Sequence, residues 1–244
     1  MCIRDRESVV HRAHEQQDLY AGFAARSGLA NLAYLALDVP KRALSETQNA
    51  LSLWSTRGVH LQHIFDTFAR AQAHLYAGEV GLAADALSDM EARRKGRRIL
   101  VPEPLTSLLA DLEGRIALAR AFDLGIAADV VVRRSLRTLE HGKQPWTVGL
   151  GLLLSAGLAH TSGDLGRASD FASSAGLRLR TSGMVYLAKL AAIYTRRLEG
   201  ERAPSDLPTG KSSVRDPRAF ARTFVPGFSS RGVGIFEQNR QEKR

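Results

Sequence analysis

The chain has 244 residues, 44% of them apolar and 24% charged, and a formal charge of +9 from 34 basic and 25 acidic side chains. That is an ordinary composition for a folded domain or repeat array long enough to bury a substantial core, and a basic balance of this size permits contact with acidic surfaces or nucleic acid without demanding either. A single cysteine, Cys2, excludes an internal disulfide framework and makes a reducing, cytoplasmic setting the expectation.

Apolar residues recur with the 3.6-residue period of a helix, and no stretch alternates convincingly as a strand would. The opening MCIRDRESVVHRAHEQQ lacks the apolar centre of a secretory signal. PKRALSETQNALSLW begins at Pro40, a first-turn proline, and Gly58 is expected to close that helix. From His60 to Ala77, Leu61, Ile64, Phe65, Phe68, Gln72, Leu75 and Tyr76 share one broad face, and Gly78 stands where a C-terminal cap glycine belongs. Glu103 to Ala121, Ile126 to His141, Trp146 to Thr161, Leu165 to Leu179 and Met184 to Leu198 complete the set, each bounded by Gly, Asp or Pro. Within them WTVGLGLLLSAGLA (Trp146 to Ala159) is the most apolar run. Its 14 residues fall short of the roughly 20 of a membrane span, and its three glycines suit a buried helix.

Connections this short predict antiparallel helix hairpins. The turns LALDVPKRAL, LYAGEVGLAADAL, ARAFDLGIAADVV and AHTSGDLGRASDF share a small or apolar helix end, an acid near the turn, and an alanine at the first buried position of the return helix. Those alanines, Ala43, Ala83, Ala127 and Ala168, lie 40, 44 and 41 residues apart. The expected fold is therefore all-α: a degenerate tetratricopeptide-like α-solenoid of about four hairpins across residues 7–200, in which small residues let each return helix pack closely. After Gly200, GERAPSDLPTGKSSVRDP holds three of the eight prolines and reads as a linker over 201–216. A short helix, Pro217 to Phe224, and a PGF ending are expected over 217–228, then a disordered basic tail, 229–244.

Each candidate site has a plainer reading beside it. SDLPTGKSS (Ser205 to Ser213) lacks the first glycine of a phosphate-binding loop and has no strand before it, so it reads as linker. His60 and His63 sit one turn apart at a helix start. Two histidines are too few for a zinc site, and capping or lining an inter-helix groove is the expectation. Arg93, Arg94, Lys95, Arg97 and Arg98 put five charges at a helix C-terminus, where cations favour the dipole, or form a patch for phosphate or an acidic partner. No aromatic interleaving or nucleic-acid motif accompanies them, so no specific nucleic-acid partner is expected. No nucleophile elbow or marked Asp/His pair is present; no catalytic, metal or cofactor residue is assigned.

One segment goes beyond generic repeat character. ALSLWSTRGVHLQHIFDTFARAQAHLYAGEVGLAA (Ala50 to Ala84) contains W-S-x-x-G-x-H-L-Q-H followed by a helix ending L-Y-x-G. This resembles the helical C-terminal region of large bacterial serine/threonine protein kinases, in which a kinase domain precedes tetratricopeptide-like repeats. QQDLYAGFAARSGLANLAYLALDVP (Gln16 to Pro40) is similar to the helix pair before that core, and RDPRAFARTFVPGF (Arg215 to Phe228) to the closing segment. The kinase motifs themselves are absent, so the resemblance implies a non-catalytic region that binds protein: other domains of its own parent chain or a signalling partner. Trp54, His60, Gln62, His63 and Tyr76, with the basic cluster, are the candidate interaction or structural residues. The repeat region of an ATPase-linked transcriptional regulator and a stand-alone helical ligand-binding domain are the alternatives.

MCIRDR (residues 1–6) is unlike the rest of the chain. Its codons can read ATG TGT ATA AGA GAC AG(A/G), which resembles the end sequence of a transposon-based sequencing adapter. Residues 1–6 are therefore expected to be translated adapter, with the gene continuing upstream of Glu7.

Overall fold

Gly, Asp and Pro punctuate a chain whose described residues form helices and turns and contain no strand. The computed structural model describes residues 3–95, 100–200 and 214–227. They divide into two units: Met1–Val101 with Ser213–Asp216, and Pro102–Ser212 with Pro217–Arg244.

The first unit contains α1 (Ile3–Glu15), α2 (Leu19–Arg26), a 3-10 turn (Gly28–Asn31), α3 (Leu32–Ala36), α4 (Pro40–Ser52), α5 (Leu61–Ala77) and α6 (Val80–Arg94). The Asp18 carboxylate caps α2 by accepting from the Ala21 N–H at 2.9 Å, which satisfies one of the donors a helix start leaves open. Pro40 stands at the start of α4 as expected, but the helix stops at Ser52 rather than running to Gly58, and residues 53–60 form a loop. α5 ends at Gly78, left-handed at φ 79°, as a C-terminal glycine allows. Neighbouring helices pack on one another in sequence order.

A polar chain, buried from Ser27 through Thr47 to Asp66 and reaching the surface at Asp89, ties four of these elements together. Asp66 on α5 accepts from the Thr47 hydroxyl of α4 at 3.0 Å and from Arg70 Nε at 2.8 Å. Since the one hydroxyl hydrogen of Thr47 goes to Asp66, Ser27 just after α2 donates to Thr47 at 2.8 Å. Arg70 reaches on to Asp89 of α6 at 3.6 Å. Satisfied in this way, buried polar groups cost little and specify one arrangement.

The second unit contains α7 (Glu103–Leu124), α8 (Asp129–Glu140), α9 (Thr147–Thr161), α10 (Leu165–Thr181), α11 (Val185–Leu198) and α12 (Pro217–Phe224). Its core gathers Leu118, Leu139, Leu154, Leu179, Leu190 and Tyr194, each nearly inaccessible. α9 is buried, as its composition predicted, against α8 and α10 and also against α7. One of its glycines and one of α7 make the contact between these two helices. A Cβ on Gly157 would lie 2.5 Å from Leu118 Cδ1, and one on Gly114 of α7 would lie 2.6 Å from Leu154 Cδ1. In these two contacts both residue numbers rise together, so α7 and α9 run parallel. Two leucines and two glycines thus interlock reciprocally.

Of the four hairpin alanines, Ala43, Ala83 and Ala168 are fully buried, but Ala127 is exposed. Ala128 takes its place. The Ile126 N–H reaches back to the Arg120 carbonyl after Gly125, so the α7 turn takes more residues and α8 starts at Asp129, not Ile126. Among the described residues no helix is long and apolar enough to cross a membrane.

Gly157→Val is expected to lower stability by about 2 kcal/mol, the range for overpacking a filled core. Adding Leu118→Ala should recover part of that loss. Urea unfolding of both variants measures the coupling, and strictly additive losses would contradict the interlock.

Candidate interaction surface

The loop 53–60 exists because its residues bond to one another rather than extend α4. The Trp54 N–H bonds to the Leu51 carbonyl, and the indole lies between Phe23 of α2 (ring centroids 5.9 Å) and His60 (6.4 Å). Its Nε1–H donates to His60 Nδ1 at 3.3 Å. That leaves the His60 hydrogen on Nε2, which donates to the Arg57 carbonyl at 2.9 Å. The His60 backbone N–H then donates to His63 Nδ1 at 3.0 Å, inside the first turn of α5. Three residues of the W-S-x-x-G-x-H-L-Q-H core therefore build the N-terminal cap of α5, with Gly58 at φ 81° turning the chain into it.

His63 is buried and accepts that N–H, so it must be neutral at Nδ1. Burial is the main cause holding its imidazole below the ordinary value of 6.5; the positive charge of Arg93 and the neighbouring His60 act in the same direction, and Asp66 opposes them. Arg93, Arg94 and Lys95 are exposed at the end of α6, and through this field Arg93 is tied electrostatically to the cap. Arg97 and Arg98, the phosphate-loop look-alike Ser205–Ser213 and the tail 229–244 lie outside the described residues.

The remaining candidates stand apart. Gln62 is buried and lines a small cavity of about 170 Å³ with Tyr20, Phe23 and Phe65. Tyr76 lies about 24 Å along α5 from His60 at 1.5 Å per residue, too far to share a site. Its hydroxyl donates to Asp38 at 2.9 Å, holding the α3–α4 turn where Asp38 adopts a left-handed φ of 58°.

The sequence did not single out a cavity of about 530 Å³ between α1, α2 and the end of α4. Val10, Ala13, Phe23, Ala50, Leu53 and Trp54 give it apolar walls, and His14, Asp18 and Arg26 stand among its polar groups. Leu19, Tyr20, Leu29 and Leu53 are each more than half exposed around the two cavities, which share Phe23. The available signal was the pair Leu19-Tyr20 directly after the Asp18 cap, in a first turn where the buried stripe runs instead through Phe23 and Ala25. Among the described residues no group of three or more His, Cys, Asp and Glu could hold a metal ion. The geometry offers apolar burial with polar edges, which is recognition chemistry.

Because the folded value of His63 is depressed, the unfolded chain binds the extra proton first. The stability it contributes is complete above pH 6.5 and is lost as pH falls through the folded value. His160, lowered by burial in the second unit, has the same sign. Thermal unfolding should therefore show a lower Tm at pH 5 than at pH 7.5. His63→Phe should remove part of that slope and cost about 1–3 kcal/mol at pH 7.5, since the His60 N–H loses its acceptor. An unchanged acid slope in the variant would count against the assignment.

No family model, no curated protein and no solved structure matches the chain.

Proposed function

We propose that this chain is a non-catalytic, cytoplasmic protein-interaction module with regulatory character, the C-terminal helical-repeat region of a bacterial serine/threonine kinase signalling protein. Its helix pairs act as a tetratricopeptide-like array that presents apolar pockets to a segment of the parent chain or of a signalling partner. The observation that carries this reading is the exposed apolar surface of Leu19 and Leu53 around the 530 Å³ cavity beside Trp54, continued by Tyr20 and Leu29 around the 170 Å³ cavity that shares Phe23 with it. Apolar patches of this kind mark interaction sites on soluble proteins. Arg93, Arg94 and Lys95, exposed at the end of α6, would engage acidic side chains at the rim.

A second reading, a small apolar ligand in the same cavity, is favoured by its volume, which falls within the roughly 300–1,000 Å³ of small-molecule sites.

Genomic sequence upstream of Glu7 tests the parentage: an in-frame kinase domain is expected, and a stop codon with a ribosome-binding site in its place would refute it. The purified upstream region, titrated with this chain, tests the surface. Leu53→Asp with Tyr20→Ala should weaken association at least tenfold without changing the far-ultraviolet circular dichroism. Unchanged affinity in that double variant would remove the surface from the proposal.

A further inference from the structure

α12 differs from the other helices of its unit in length and in how it is held. It has eight residues, too few to be helical in water alone, so its helicity depends on the surface under it. Ala219, Phe220, Ala221, Thr223 and, just beyond, Val225 are buried. Phe220 meets the Tyr186 ring of α11 edge-on, centroids 5.3 Å apart at 88°, and lies 5.3 Å from Phe224 one turn on. Phe224 covers the guanidinium of Arg115 on α7 at 5.3 Å. Beyond the helix, Gly227 passes so close to Phe122 of α7 that a Cβ would lie 2.5 Å from the ring, with His160 of α9 at 3.2 Å. α12 therefore lies on a face to which every second helix of the unit, α7, α9 and α11, contributes.

The polar anchor is the informative contact. Arg115 is buried, with Nε on Asp111 at 2.8 Å, and its Nη1 donates to the main-chain carbonyl of Thr223 at 2.6 Å. The last four carbonyls of any helix lack intrahelical partners and carry the negative end of its dipole. Arg115 thus recognises a helix C-terminus rather than a particular side chain, and the side-chain requirement is two aromatics one turn apart. The sequence between Gly200 and Val214 reads as a linker, and the Arg215 N–H, bonded to the Ala36 carbonyl at 2.8 Å, holds the chain just before Pro217, so α12 is tethered on that side whether or not it occupies its face.

We propose that Pro217–Gly227 is a displaceable ligand carried in cis, and that the face formed by α7, α9 and α11 receives, in its place, an amphipathic helix of a partner protein with two aromatic side chains one turn apart near its C-terminus. The helix-in-groove mode supplies the affinity, and the tethered copy sets the threshold a partner must exceed. This inference is independent of the surface beside Trp54.

The test uses the full chain with a specific protease site placed between Gly200 and Val214, and a fluorescein-labelled peptide of residues 214–228. After cutting and gel filtration, the chain should bind the peptide, and the uncut chain should bind it at least tenfold more weakly. The same peptide with Phe220→Ala and Phe224→Ala should lose at least tenfold. Equal binding to cut and uncut chains would put the peptide elsewhere on the protein. A severed segment that never dissociates, or loss of helical signal beyond that of α12 itself once it does, would make α12 a permanent part of the core. A doubled mass before cutting would mean that α12 is exchanged between two copies. Each of these results overturns the proposal.

Discussion

Two parallel helices separated by an antiparallel return helix can touch only if something small stands at their crossing. In the second unit Gly114 and Gly157 provide the room, and Leu154 and Leu118 fill it. With α7 against α9, the return helices α8 and α10 close over them through Ala128, Ala168, Ala172 and Ala175, all buried. Glycine in a helix interior costs about 1 kcal/mol relative to alanine, a loss that the burial of two leucines offsets.

The same close packing explains why polar groups can be carried inside these units at all. Arg115 and Asp111 are buried as a pair, and burial pushes the Asp111 carboxyl above its ordinary range even with the arginine charge beside it. A buried ion pair gains little net stability unless its remaining hydrogens find acceptors. Arg115 finds one in the Thr223 carbonyl, and the aromatic face of Phe224 covers its charge. The pair is thus a place where the surroundings decide what is tolerated.

Much of the helical framework was legible because its signals are local. Gly78 ends α5, Pro40 opens α4, and the glycines of α9 marked a buried helix before any partner was known. Ala43, Ala83 and Ala168 face inward as the fourth residue of a return helix that follows a turn of two or three residues; the turn after α7 takes four, and Ala128 rather than Ala127 was buried. The spacing of His60 and His63 suggested that they cap a helix or line a groove, and the His60 N–H on His63 Nδ1 is a contact of the first kind. That Trp54 donates to His60 was not legible, because the path of residues 53–60 is set by Phe23, more than thirty positions away. Arg115 meeting Thr223 is more remote still, 108 residues apart, and no periodicity carries such a pairing. The apolar surface beside Trp54 escaped for a different reason: an exposed leucine looks like a buried one until its neighbours are placed.

The polar chain through α4 has a consequence of its own. Ala43 and Ala50, two turns apart, present almost the same small surface on either side of Thr47, so their apolar packing alone does little to fix how α4 slides or rotates between its neighbours. Thr47 removes that freedom. Its single hydrogen points to Asp66 and its oxygen receives Ser27, so a displacement of one residue, about 1.5 Å along and 100° around the axis, breaks both links at once. The chain of hydroxyls works as an index mark: it does little to hold α4 in place, and it determines which of several near-equivalent places α4 occupies.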